Sequence, residues 1–140
     1  MAEPVATHVT DIRVYYEDTD SEGIVYYANY LKFAERGRTE MLRAAGIDHP
    51  TLWDVHGVGF AVRRVSADYL KPARLDDALT VHSSMTEIRG ASLSAQQTVR
   101  RGEDDLVHLQ VKLACVDRAG RPARMPLPLR NALHAIQNDV

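Results

Sequence analysis

Apolar and polar positions follow two different periods in the first third of the chain. Residues 8–16 alternate: Thr10, Ile12, Val14 and Tyr16 share one face, and Asp11, Arg13 and Tyr15 the other, as in a strand. A polar turn, residues 17–23, closes on Gly23. The period then lengthens. Tyr27, Tyr30, Leu31, Ala34, Met41, Leu42 and Ala45 recur at spacings of three, four and seven. Lys32, Glu35, Arg36, Arg38 and Glu40 fall largely on the opposite side. This predicts an amphipathic helix over about residues 27–45, stopped by Gly46. Gly37 sits inside it at a cost in helix propensity, which close approach of a strand would explain.

Beyond the helix the period returns to two. Residues 59–65 read as a strand that ends before Lys71-Pro72. Leu79, Val81 and Met85 alternate with Thr80, His82 and Thr86; Leu93, Ala95, Gln97 and Val99 follow less cleanly. The clearest strand sets Val107, Leu109, Val111, Leu113 and Cys115 on one face, with His108, Gln110 and Lys112 between them. Gly90 and residues 101–105 supply the connections. Pro122, Pro126 and Pro128 restrict regular structure late in the chain, and residues 131–137 suit a short helix. Four strands in succession with no helix between them predict antiparallel pairing. One long amphipathic helix needs an apolar partner, so the expected class is α+β, a curved antiparallel sheet wrapped around one long central helix. Such a sheet leaves edges that proteins pair or cover, which predicts at least a dimer.

Composition narrows the class without changing the outline. The 140 residues are 45% apolar and 26% charged with a net charge of −2, and they read as a single domain over 1–140. No run approaches the ~18–20 apolar residues of a membrane span. The N-terminus lacks the pattern of a secretory signal, and Cys115 is the one cysteine, so the expected compartment is the cytoplasm. A slightly acidic balance argues against general nucleic-acid binding. The charge is uneven: residues 1–88 carry nine Lys/Arg against fourteen Asp/Glu, and residues 89–130 carry eight against four. Arginine outnumbers lysine fourteen to three, so the second half suits either a phosphate site or simply solvated strand faces.

The chemistry concentrates in residues 18–42, DTDSEGIVYYANYLKFAERGRTEML. Asp18 and Asp20 lie in the turn before the long helix. A helix N-terminus offers unpaired N–H groups and partial positive charge, which can hold a carbonyl oxygen that turns negative under attack. A carboxylate beside it can attack or act as general base, and Gly23 lets a substrate pass near the backbone. These pieces suit acyl transfer or hydrolysis; the plainer reading is an acidic turn capping a helix. The six histidines, His8, His49, His56, His82, His108 and His134, lack the spacing of a zinc hydrolase, and no metal is expected. His49-Pro50 and His56-Gly57 frame a loop after the helix, with Trp53 between them available for packing or for an acyl pocket. Tyr15, Tyr16, Tyr26, Tyr27 and Tyr30 crowd the motif, some as core and Tyr26 or Tyr30 beside an acyl chain.

Residues 14–20 followed by 23–30, VYYEDTD and GIVYYANY, resemble the start of the 4-hydroxybenzoyl-CoA thioesterase family of hot-dog-fold proteins. Residues 31–42, LKFAERGRTEML, look like its branch of acyl-CoA thioesterases associated with the Tol–Pal cluster. Residues 69–73 and 75–79 are similar to the family's link between its second and third strands. The resemblance implies a curved sheet around the helix, two subunits with joined sheets, active sites at their interface and no cofactor. It places the catalytic aspartate at Asp20, with Asp18 supporting it, and the carbonyl-polarising N–H near Tyr27. Many members of the branch carry histidine where Tyr27 stands. Residues 87–92 resemble a turn that binds coenzyme A, with Arg89 at a phosphate and Ser92 near the pantetheine arm. The implied activity is hydrolysis of an acyl-CoA, with a short aliphatic or aromatic acyl group, by a homodimer or homotetramer. A thiolate, with an unperturbed thiol pKa near ~8.5, leaves without strong acid assistance, so one carboxylate and an oxyanion site suffice. The alternatives are a hot-dog dehydratase of 3-hydroxyacyl thioesters and a non-catalytic acyl-CoA-binding or scaffold protein.

Overall fold

The alternating segments become five strands. In the computed structural model, which describes residues 7–138, β1 spans His8–Arg13, β2 Val58–Tyr69, β3 Ala78–Ile88, β4 Ser92–Arg101 and β5 Asp104–Asp117. They form one antiparallel sheet in the order β1-β3-β4-β5-β2. Three register shifts, at Val62/Arg64, Met85/Glu87 and Val99/Arg100, break the ladders. Each bends its strand and strengthens the local twist, which lets the sheet curve. The concave face carries Leu79, Val81, Met85, Leu93, Val99, Leu109 and Cys115, all buried.

Helix α1, Asn29–Ala44, lies in that concavity. Its 16 residues span about 24 Å. Gly37 is where helix and sheet come closest. A Cβ built there would stand 2.6 Å from Val81 Cγ1, 3.0 Å from Ser83 Oγ and 3.1 Å from Gln97 Nε2. The expected close approach of a strand is therefore present. The α+β class with a curved antiparallel sheet around a long helix is also what the chain adopts.

The structure corrects the phase of the helix. The buried stripe is Tyr30, Phe33, Ala34, Gly37, Arg38, Met41 and Leu42. Tyr27 precedes the helix and is 61% exposed, and Leu31 is 39% exposed. Arg38, expected in solvent, is 9% exposed, because a fully buried amide, Gln97, accepts its hydrogen bond. The helix also begins two residues late. The Asn29 N–H donates to Tyr26 O (2.8 Å), which closes a turn where the first helical residues were expected.

Other boundaries shift for local reasons. β1 ends at Arg13, and Tyr16–Asp18 is a 3-10 turn rather than strand, since Asp18 Oδ2 accepts the Tyr15 N–H at 2.8 Å. The loop framed by His49 and His56 is wound into a short helix α2, His49–Thr51, and a π-turn, Leu52–His56. Asp48 caps it by accepting from Thr51 N (2.8 Å) and Thr51 Oγ1 (3.0 Å). The last helix, α3, spans Leu127–Asn138. It begins earlier than expected because Pro128 falls in the first turn, where the missing N–H has no intrahelical partner to lose. Leu129 and Leu133 of α3 join the core.

Gly37→Ala tests the contact that seats the helix. Alanine gains up to ~1 kcal/mol in helix propensity. Its methyl meets the stiff, branched Val81, and overpacking of this kind costs about 1–3 kcal/mol. The expected outcome is a net loss of stability in chemical denaturation; a gain would show that helix and sheet separate freely.

Candidate active site

The turn before α1 is a small, tightly bonded hairpin. Tyr26 N donates to Asp18 O (3.0 Å), Thr19 bridges Val25, and Asp20 N donates to Ile24 O (2.9 Å). Gly23 closes it at φ +76°, with its N–H donating to Asp20 O at 3.1 Å. A left-handed residue there is what the turn requires, and glycine adopts it without penalty. A Cβ at Gly23 would meet no atom within 4 Å, so this surface stands open.

The two carboxylates of the turn have different surroundings. Asp18 is 6% exposed and spends its Oδ2 on the Tyr15 amide. Its carbonyl accepts both Tyr26 N and Asn29 Nδ2 (2.8 Å). Asp18 therefore ties the 3-10 turn, the hairpin and the helix start together. Asp20 is exposed; its Oδ1 accepts from Glu22 N at 2.8 Å and Ile24 N at 3.4 Å. Backbone donors orient this carboxylate, while it stays open to solvent.

The chain then turns into the helix. Among the described residues, the N–H groups of Tyr27 and Ala28 donate to no other group of the chain. They stand at the positive end of the α1 dipole. Aromatic rings surround this point. Tyr27 packs on Tyr26 at 4.9 Å between centroids and meets Tyr69 edge-on at 6.1 Å. Tyr69 Oη donates to Tyr27 O (3.2 Å). Tyr30 lies 5.7 Å from Tyr69 between centroids, and its Oη accepts the N–H of the buried Ala73 at 2.8 Å. Burial raises the Tyr30 and Tyr69 hydroxyls above the usual tyrosine range. Tyr30 is thus core, whereas Tyr26 (49% exposed) faces outward.

Asp20 and Gly23 are bonded at the tip of the hairpin, whose other end, held by Tyr26 N on Asp18 O, leads into Tyr27; Arg89 and Ser92 do not join them within one chain. The Asp20 hairpin is bonded to the segment before β3, through Leu75 N donating to Gly23 O and a bridge from Ile24 to Arg74. Arg89 follows the far end of β3, about 11 residues or roughly 30 Å away along the strand. There Arg89 is exposed and paired with Glu87, at 2.7 Å and 3.3 Å, while its N–H donates to Ser92 O. That pairing lowers the Glu87 carboxyl and raises the Arg89 guanidinium from their ordinary values.

Two residues at this site carry little signal in the sequence. Asn29 shows only as an amide at the first helical position. Tyr69 is the last residue of β2, and nothing local says that β2 ends over the helix start. Trp53 lies at the opposite end of β2, its ring 5.9 Å below the Arg118 guanidinium.

This chain is similar to known proteins over most of its length. The family profile described as the Thioesterase superfamily matches residues 22–108. The acyl-CoA thioesterase YbgC of Haemophilus influenzae is 39% identical over 127 residues, covering 90% of this chain and 93% of the relative. The acyl-CoA thioester hydrolase YbgC of Escherichia coli is 44% identical over 107 residues, covering 76% and 79%. A solved structure from Bartonella henselae, described as a "Probable Thioesterase", superposes with a TM-score of 0.84 at 38% identity. It covers 86% of this chain and 100% of its own.

Tyr30→Phe isolates one tie of the site. It removes the acceptor of a buried backbone N–H and little volume, so a loss of about 1–3 kcal/mol in denaturant titration is expected. An unchanged midpoint would mean that Ala73 finds another acceptor.

Proposed function

The chain belongs to the thioesterase superfamily, and from that premise we propose that it hydrolyses acyl-CoA through Asp20 and the helix-start amides. The observation that carries this reading is the occurrence, in one short segment, of an oriented, solvent-open carboxylate and two N–H groups that donate to nothing else among the described residues. In this reading the thioester carbonyl oxygen sits against the Tyr27 and Ala28 amides, and its carbon faces Asp20.

Two routes balance from there. As general base, Asp20 takes a proton from water while the oxygen of that water bonds to the carbonyl carbon. As nucleophile, its oxygen bonds to that carbon directly, and water then hydrolyses the resulting anhydride. In both, the negative charge gathers on the carbonyl oxygen and is met by preorganised donors. Collapse then breaks the carbon–sulfur bond; in the first route the thiolate takes up the proton held by Asp20, and in the second, where collapse yields the anhydride, it takes up the proton released when water opens that anhydride. Among the described residues no histidine is bonded to Asp20, which disfavours the dehydratase alternative, a reaction that needs a base and an acid together.

The exposed rings of Tyr26, Tyr27 and Tyr69 suit a short aliphatic or aromatic acyl group. A homo-oligomer is part of the same proposal. Among the described residues, β2 is a 12-residue edge strand whose ladder pairs with β5 alone, with residues 61–66 exposed throughout. Long free edges are templates for pairing. Antiparallel pairing of two β2 strands about a two-fold axis sets the Arg89–Ser92 end of a second copy level with the Asp20 end of the first. Coenzyme A is long enough to reach between them.

Steady-state hydrolysis of an acyl-CoA panel tests the reading. Asp20→Asn is expected to lower kcat by about 10²-fold or more with little change in KM. Asp18→Asn should cost less, since its burial and bonds make it a structural tie. The reverse ranking would reassign the reacting carboxylate, and full activity of both variants would move catalysis elsewhere. Arg89→Ala should raise KM more than it lowers kcat, because phosphate contacts serve ground and transition states alike. An unchanged KM would remove Arg89 from the coenzyme A site.

A further inference from the structure

The polar network beneath α1 holds a charge without a counter-charge. Gln97 and Ser83 are fully buried in the sheet. Gln97 Nε2 donates to Ala34 O and to Ser83 Oγ, both at 2.8 Å, and its Oε1 accepts from Arg38 Nη1 at 3.0 Å. That neutral amide satisfies one of the five guanidinium donors. Among the described residues no carboxylate lies within ion-pair distance of Arg38. Burial disfavours its charged form, and Glu35, one turn earlier, opposes this from a distance. Desolvating a guanidinium costs more than one bond to an amide returns.

Arg38 lines a groove of about 270 Å³ between α1 and β2. The groove walls are apolar, chiefly Leu31, Val62, Val65 and Leu109, and Lys32 and Glu35 are exposed at its rim. It opens beside the free edge of β2, where a second copy is placed by the reading above. A two-fold axis sets the two α1 helices antiparallel, so that a contact of residue i with j repeats as j with i. The three charges of this face choose the register. An axis at Glu35 would oppose Glu35 with Glu35 and Lys32 with Arg38, all like charges. An axis between Lys32 and Glu35 would pair those two and leave Arg38 alone. An axis between Glu35 and Arg38 pairs each with its opposite twice over.

We infer that the counter-charge of Arg38 is Glu35 of a second copy, and that the two reciprocal pairs fix the register in which the subunits join. This rests on the two-copy assembly proposed above, and the experiment separates the two.

Sedimentation equilibrium of wild type, E35R and R38E, alone and mixed, is the test. E35R and R38E should each weaken self-association about 30-fold or more, at the lower end of what losing one partner of a desolvated pair costs. An equimolar mixture of the two should regain wild-type association, because every contact across the axis then joins opposite charges. A pair formed within one helix would be mended by the double variant E35R/R38E and not by mixing. A mixture that stays dissociated therefore overturns the inference. Should R38E fail to fold by circular dichroism, R38Q takes its place, since glutamine keeps an N–H for Gln97. Mixing it with E35R should again raise association above that of E35R alone, and no rise overturns the inference. A monomeric wild type would overturn the two-copy reading itself. A wild-type dimer indifferent to E35R would leave that reading standing and remove the charge pair.

Discussion

The approach of α1 to the sheet at Gly37 is the constraint on which the rest of the molecule depends. With no side chain there, the helix settles onto Val81, Ser83 and Gln97 at a distance that any Cβ would forbid. That depth brings Ala34 O within reach of Gln97 Nε2 and lets Phe33 and Met41 fill the concavity on either side. Apolar burial supplies most of the driving force, at about 25 cal/mol per Å². The amide at Gln97 adds direction. A helix held by oil alone can slide or roll, whereas one whose carbonyl is claimed by a buried donor has a fixed height and rotation.

Fixing the helix fixes its N-terminus, and the site is built outward from there. Asp18 and Asp20 show how surroundings divide the work between two identical side chains. The first is buried, its Oδ2 taken by the Tyr15 amide and its main-chain carbonyl by the Tyr26 amide and the Asn29 side chain. The second is aimed by the Glu22 amide and left open to water. Catalytic electrostatics gain from donors that need not reorganise during reaction. At the proposed site the rigidity comes from the turn and from Tyr30 accepting the Ala73 amide.

Much of this was legible in the order of residues. Strict alternation in β3 and β5 reflects a sheet with one apolar and one wet face, and such faces write themselves into every second position. The acidic turn and Gly23 were legible as the hairpin leading into the helix, where the proposed Asp20 and Tyr27 stand. The phase of the helix was less legible, because the residue that accepts Arg38 lies in β4, far along the chain, and Arg38 read alone is a solvent residue. Asp18 and Asp20 differ in burial through bonds made by Tyr15, Tyr26 and Asn29, which residue type does not record. The placing of Arg89 and Ser92 depends on which end of β3 meets the helix start. That is a property of the whole topology, since a turn motif looks the same at either end of a sheet.

The bond from Tyr69 Oη to Tyr27 O joins the last residue of the edge strand to the mouth of the helix. Strand ends and sheet margins open more often than centres, with small free-energy cost. The edge of the sheet and the proposed site therefore share one tether. When the tip of β2 frays, the Tyr27 carbonyl loses its tether and the neighbouring amides lose their aim; when the tip is clamped, both are held. Whatever steadies that margin of the sheet also steadies the proposed site, with one phenol acting as a strut.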